Sequence, residues 1–203
     1  MICFLGMGLL GSNFTKAMLQ KGQQVNVWNR TFTKAKALEE FGAKANENIL
    51  DAVKNAERIH ITLPDDKVVD DILEKAKGGL KAGCIIIDHS TTSTKGAEKR
   101  TKYWKQQGYT YLHAPVFMGP QNALESTGYM LVSGNQEIIK KLEPVLQAMT
   151  GKLINFGNET SRAAGIKLMG NSFLLFLTAG LSDTLALAQS MNISKVMVFF
   201  DSM

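Results

Sequence analysis

The sequence predicts an α/β fold, a doubly wound parallel sheet followed by a long helix that opens an incomplete, all-helical second domain. Three observations carry this expectation. Short apolar runs alternate with amphipathic stretches over residues 1–160, a pattern that implies right-handed crossovers and a sheet covered on both faces. A glycine-rich turn follows the first apolar run. From about Ser161 the alternation gives way to one apolar segment, which can form roughly thirty residues of helix, about 45 Å long.

The elements follow in order. "MICFL" reads as a strand, and "LLGSNFTKAMLQKG" as a helix closing at Gly22. "QVNVWN" is a strand and "TKAKALEEFG" a helix ending at Gly42. "ILDAVKNA" is helical, and "RIHITL" is a strand stopped by Pro64. "DKVVDDILEKA" is helical, "CIIID" a strand, "STKGAEKRTKYWKQQG" a helix and "TYLHAPV" a strand. "YMLVSG" and "LINFG" add late strands on either side of the helix "QEIIKKLEPVLQAMT". "SRAAGIKLMGNSFLLFLTAGLSDTLALAQSMN" is the long helix, apolar around much of its circumference. Residues 1–160 are thus expected to form one domain, and 161–203 the start of a second.

Composition narrows the function. Of 203 residues, 45% are hydrophobic and 20% charged, which is globular. The net charge of +5 comes with no dense basic run interleaved with aromatics, so no nucleic-acid binding is expected. Cys3 and Cys84 lie in strand-like runs and read as buried hydrophobes of a reducing compartment. No signal peptide is visible at the N-terminus. Asp183 interrupts the most apolar run, which makes it a poor membrane span. The expectation is a cytoplasmic protein, or an organellar one whose presequence is absent, without a membrane partner. His60, His89 and His113 are far apart in sequence, and no metal site is expected from them. There is no G-x-S-x-G elbow to suggest a hydrolase.

The chemistry begins at "FLGMGLLG". Gly6, Gly8 and Gly11 stand as G-x-G-x-x-G between a strand and a helix, the Rossmann-type arrangement. Gly6 permits a tight turn, Gly8 lets backbone approach a pyrophosphate, and Gly11 allows close packing of helix on strand. The intervening Met7, Leu9 and Leu10 present backbone N–H groups at the helix start, where a phosphate is favoured. At the end of the second strand stands "VWNRT", without the acid that usually accepts from the ribose of NAD. Arg30 can pair with a 2′-phosphate, and Asn29 and Thr31 can hydrogen-bond to it. NADP(H) is therefore the expected preference, with NAD(H) possible. The plainer alternative is that Arg30 only solvates a helix start.

The motifs "FLGMGLLG", "VNVWNRT", "ITLPDD", "IIIDHSTTS", "HAPVFMGP", "TGYMLVSG" and "GIKLMGNS" occur in the order found in the β-hydroxyacid dehydrogenases. The chain resembles that family, which includes 3-hydroxyisobutyrate dehydrogenase and the glyoxylate/succinic semialdehyde reductases, over essentially its whole length. The resemblance implies an oxidoreductase that moves a hydride between nicotinamide and a small β-hydroxyacid or semialdehyde. It places Leu63 and Pro64 near the adenosine and pyrophosphate side of the coenzyme and Thr91 near the nicotinamide. Lys167 matches the catalytic lysine, and Asn171 the substrate-orienting asparagine. Helical spacing puts these two on one face. The lysine would give or take the proton at the substrate oxygen, and burial would lower its pKa.

The loop "HAPVFMG" departs from the family pattern D-A-P-V-S-G-G. His113 replaces the Asp, Phe117 the Ser and Met118 the first Gly, while Gly119 is kept. Phe117, Met118 and Gly119 remain the expected substrate-binding positions. The substrate is then smaller, more apolar or differently oriented than 3-hydroxyisobutyrate, its anion held by backbone N–H groups around Met118 and Gly119. Family members also continue well beyond this length. The resemblance therefore implies a C-terminally truncated chain and a homodimer or larger homo-oligomer joined through residues of about 165–203. The alternative is a non-catalytic NADP-binding or interaction module derived from the family.

Overall fold

The computed structural model describes residues 1–193, so residues 194–203 of the expected helical segment lie outside the described residues. The chain divides into two units, Met1–Lys167 and Leu168–Met203.

The first unit is built on a six-stranded parallel sheet. Its strands are β1 (Ile2–Leu5), β2 (Val25–Trp28), β3 (Lys44–Ala45), β4 (Arg58–Ile61), β5 (Ile85–Asp88) and β6 (Thr110–His113). They lie in the order β3-β2-β1-β4-β5-β6. The order reverses direction between β1 and β4, and doubly wound sheets bind ligands beyond the carboxyl ends of their strands at such a switch. Strand residues alternate between the faces. Phe4, Val27, Ile87 and Leu112 face one apolar layer with Phe14 and Met18. Cys3, Leu5, Ile59, Ile61 and Ile86 face another with Leu73 and Trp104. Both cysteines are free and buried, and burial pushes the Cys84 thiol up to about 11.

The helices are α1 (Leu9–Gln20), α2 (Phe32–Lys36), α3 (Ile49–Val53), α4 (Asp66–Ala76), α5 (Thr94–Gln106), α6 (Pro120–Glu125), α7 (Gln136–Gln147) and α8 (Arg162–Ser190). Polar side chains cap several starts. Asn48 accepts from Leu50 N–H, Asp65 from Val68 N–H, Ser93 from Gly96 N–H, and Asn135 from Glu137 and Ile138 N–H. Gly8, at the start of α1, supplies no side-chain cap.

Three sequence expectations need correction. The helix over "TKAKALEEFG" is only α2 followed by a 3-10 turn at Glu39–Phe41. The chain tightens there to bury Leu38, whose C=O accepts from both Phe41 and Ala43 N–H. The two-residue β3 that follows has no strand-like apolar pattern. "TYLHAPV" is not one strand, because the chain leaves β6 at Ala114–Pro115 and resumes as β7 (Val116–Phe117). Proline has no N–H to continue a ladder. With β8 (Tyr129–Val132) and β9 (Lys152–Asn155), β7 makes a separate sheet, β7-β8-β9, antiparallel in its first pair and parallel in its second. The late strands expected on either side of the helix Gln136–Gln147 are thus present, as members of this second sheet. Finally, α8 is long and apolar enough to cross a membrane by length and composition alone, so Asp183 does not make it too polar for that.

Candidate functional site

The glycine turn shows why each glycine is where it is. Gly6 has φ +96°, and a Cβ there would stand 2.2 Å from the Thr62 carbonyl oxygen. A Cβ on Gly11 would stand 1.9 Å from the Gly6 carbonyl oxygen. Both positions are closed to any side chain by backbone. A Cβ on Gly8 would meet nothing within 4 Å. Nothing in the fold forbids a side chain at Gly8, so packing within the chain does not explain the glycine there. The first N–H groups of α1, at Leu9, Leu10 and Gly11, have no acceptor within their own helix, and they carry the positive end of its dipole.

Two contacts tie this turn to its neighbours. Met7 N–H donates to Asn29 Oδ1 at 2.9 Å, and Asn29 Nδ2–H donates to Thr31 O at 3.0 Å. Thr62 Oγ1–H donates to Gly6 O at 3.0 Å. Asn29 thus clamps the turn to the end of β2, a more structural task than binding a 2′-phosphate. The Met7 side chain is buried, while Leu9 is exposed.

A cavity of about 230 Å³ opens beside the turn. It gathers Gly6, Gly8, Asn29, Arg30, Thr31, Leu63 and Pro64, seven of the twelve residues the sequence assigns to the coenzyme. It also takes in Lys34, Thr62, Val68 and Ile72, which sequence reasoning missed. Lys34 had a legible signal, a second cation four residues after Arg30 in the same segment. Thr62 had none, since it reaches Gly6 only through the pairing of β1 with β4. Among the described residues no carboxylate lines this cavity, and Arg30 and Lys34 are both exposed.

Thr91 lies in the loop between β5 and α5, outside the lining of that cavity. Buried polar groups hold this loop. Ser90 N–H donates to Asp88 Oδ1 at 2.8 Å, and Leu63 N–H to Ser90 Oγ at 2.9 Å. Ser93 N–H donates to Asp66 Oδ2 at 2.9 Å. The buried Arg100 guanidinium joins Asp66 at 2.7 Å and Asp70 at 3.1 Å, and donates to Tyr111 Oη at 2.9 Å. Tyr111 in turn donates to Asp88. Burial and the neighbouring Asp88 push the Tyr111 phenol well above its ordinary range.

The loop expected to bind substrate carries Phe117 at the end of β7, then Met118 and Gly119. Lys167, in α8, is buried, and its Nζ stands 4.1 Å from the centroid of the Phe117 ring. Burial lowers the Lys167 pKa, while a ring face opposes that by favouring the cation. The helix is anchored just before Lys167. Ala163 N–H donates to Ser133 Oγ at 2.9 Å, and Ser133 Oγ–H to Thr160 O at 3.2 Å. Asn171 follows four residues later along α8, in the second unit.

The expectation that Gly119 N–H holds a substrate anion meets a competitor, because it donates to Asn122 Oδ1 at 2.9 Å. Nor are the histidines apart in space. His60 Nδ1 and His89 Nε2 are 2.9 Å apart, and the stacked rings pack with Phe4 and Phe14. His113 Nε2–H donates to Ser90 O at 2.9 Å. Among the described residues no group of three or more His, Cys, Asp or Glu is arranged to hold a metal.

The family model for the NAD binding domain of 6-phosphogluconate dehydrogenase matches residues 1–157. Among curated proteins, the chain is 29% identical over 195 residues to the 3-sulfolactaldehyde reductase of Escherichia coli strain K12, covering 95% of this chain and 65% of that one. Among solved structures it resembles the Mycobacterium tuberculosis 3-hydroxyisobutyrate dehydrogenase with L-serine. That match has a TM-score of 0.87 and 25% identity, over 96% of this chain and 66% of the other. It also shares the fold of an imine reductase from Myxococcus stipitatus in complex with NADP+, with a TM-score of 0.92 and 24% identity, over 98% and 70% of the two chains. The chain thus spans about 65% of the length of the reductase it matches.

Proposed function

Because the chain belongs to the family of the NAD binding domain of 6-phosphogluconate dehydrogenase, we propose that it binds NADP(H) in preference to NAD(H). We further propose that it serves hydride transfer to or from a small β-hydroxyacid or semialdehyde, with Lys167 as general acid/base. The observation that carries this reading is the cavity in which a bare Gly8 backbone meets Arg30 and Lys34 with no carboxylate beside them. That donor set suits a dinucleotide with an extra phosphate, since a guanidinium forms charge-assisted, bidentate bonds to phosphate.

The coenzyme supplies the hydride. The chain's own groups do the rest. The opening of α1 receives the pyrophosphate, and Thr91 stands toward the nicotinamide half. Lys167 moves the proton at the substrate oxygen. Its burial favours release of that proton closer to neutral pH than a free lysine allows. Phe117 and Met118 line the substrate's apolar side. A small acid is the expected substrate, and self-association runs through the apolar face of α8, where Phe173, Leu175 and Phe176 are exposed. A clean monomer by light scattering at micromolar concentration would contradict that last point.

A second reading is a coenzyme-binding module without turnover. The occupied Gly119 N–H and the Phe117 ring over Lys167 favour it. Absorbance at the reduced nicotinamide band decides between the two, with succinic semialdehyde and glyoxylate as substrates. Oxidation of NADPH supports the enzyme, and tight binding without turnover supports the module.

A further inference from the structure

At the opposite end of the sheet from the glycine turn, a cavity of about 340 Å³ lies where β4 and β5 begin. Arg58, Lys81 and Lys141 line it together with Glu57. The exposed Glu57 carboxylate stands 3.7 Å from the amino terminus and also acts on Arg58, so it offsets one of the three positive charges and leaves an excess of two. Lys81 and Lys141 are exposed and Arg58 is half-buried. A partly enclosed space walled by three positive groups attracts an anion more strongly than open surface does.

Arg58 also begins a chain of hydrogen bonds whose direction is fixed. Its Nε–H donates to His60 Nε2 at 3.2 Å. An arginine N–H can only donate, so His60 Nε2 is the acceptor and His60 Nδ1 carries the proton. That Nδ1–H then donates to His89 Nε2 at 2.9 Å. His89 is left with its proton on Nδ1, which donates to Ala114 O at 2.9 Å. His60 and His89 are both buried. Every donor and acceptor along this line is used once, and the line ends in the loop that carries Phe117.

We propose that the basic cavity at the start of β4 and β5 is a second binding site, for a small oxyanion of the phosphoryl type. The anion bridges Arg58, Lys81 and Lys141, and its presence is transmitted through His60 and His89 to Ala114. An anion on the Arg58 guanidinium polarises the Nε–H bond to His60, and neighbouring hydrogen bonds respond in turn. The site is separate from the coenzyme cavity and shares no residue with it.

The test is a titration of the nitrogen-15-labelled 203-residue chain with inorganic phosphate at constant ionic strength, read at the imidazole resonances of His60 and His89. Saturable shifts at both histidines are expected, with a dissociation constant on the order of millimolar. The double variant Lys81→Ala/Lys141→Ala removes only exposed side chains and should weaken binding on the order of tenfold. Tighter binding of glycerol 3-phosphate would mark a phosphorylated metabolite as the occupant, and equal binding a free oxyanion. A linear drift of the same size in the double variant would overturn the site. Saturable binding that leaves His89 unmoved would overturn its link to the loop.

Discussion

Two loops leave the C-terminal edge of the parallel sheet and run into a helix through a glycine. Gly8 precedes α1 after β1, and Gly119 precedes α6 after β6 and β7. Their donors have opposite fates. At Gly8 the helix start has no side-chain cap, and the space above it is open. At Gly119 the N–H is spent on Asn122, and Pro120 brings no N–H at all. A glycine at a helix start therefore does not make an anion site by itself. What counts is whether its donors are already used inside the chain, which no glycine pattern reveals.

The largest expected effect lies beside the second loop. Lys167→Ala should lower kcat by about 10²–10⁴-fold, the range for losing a general acid/base, and leave NADPH affinity intact. Near-normal turnover in that variant would remove Lys167 from the chemistry. At the first loop, two alanines separate fold from ligand. Gly11→Ala meets backbone at 1.9 Å and should cost about 3 kcal/mol of stability, together with coenzyme binding. Gly8→Ala meets nothing, so its Tm should match the parent while NADPH binding falls by about tenfold or more. Equal loss of Tm in both variants would refute the distinction.

The histidine pair beneath the second loop gives a pH signature. Burial pushes His89 down to about 4, and holds His60 well below its ordinary value. A histidine whose folded pKa is depressed binds its proton more readily in the unfolded chain. Stability from His89 is therefore present above about pH 6.5, the unfolded value. It is lost as pH falls toward 4. The size is about 3 kcal/mol for that residue, at roughly 1.4 kcal/mol for each pH unit. Urea titrations at pH 7 and 4.5 should show the difference, and it should shrink in His89→Phe. The smallest effect is at Gly119. Asn122→Ala frees one N–H and should cost under about 1 kcal/mol, while giving the loop a weak affinity for acetate that the parent lacks.

The sequence was most informative where a rule is local. The glycine spacing and "VWNRT" act on their near neighbours in the chain, and Gly6 and Gly8 share one cavity with Asn29, Arg30 and Thr31. It was least informative where function depends on partners distant along the chain. Thr62 meets Gly6 across 56 residues, and His60 meets His89 across 29. Neither pairing has a sequence period. The break after Ala114 was within reach, because Pro115 cannot continue a ladder, yet the apolar run "TYLHAPV" outweighed it. Asn122 illustrates a different blindness, since a side chain three residues on can consume the donor a motif seems to offer.

Coenzyme choice rests on the first loop and the pair of cations beside it, Arg30 and Lys34. Calorimetric titration of the parent chain and Arg30→Asp with NADPH and NADH tests it most directly. The parent should bind NADPH at least about tenfold more tightly than NADH, from a charge-assisted bond to the extra phosphate, and Arg30→Asp should reverse that order. Tighter binding of NADH by the parent, or no binding of either coenzyme, would contradict it.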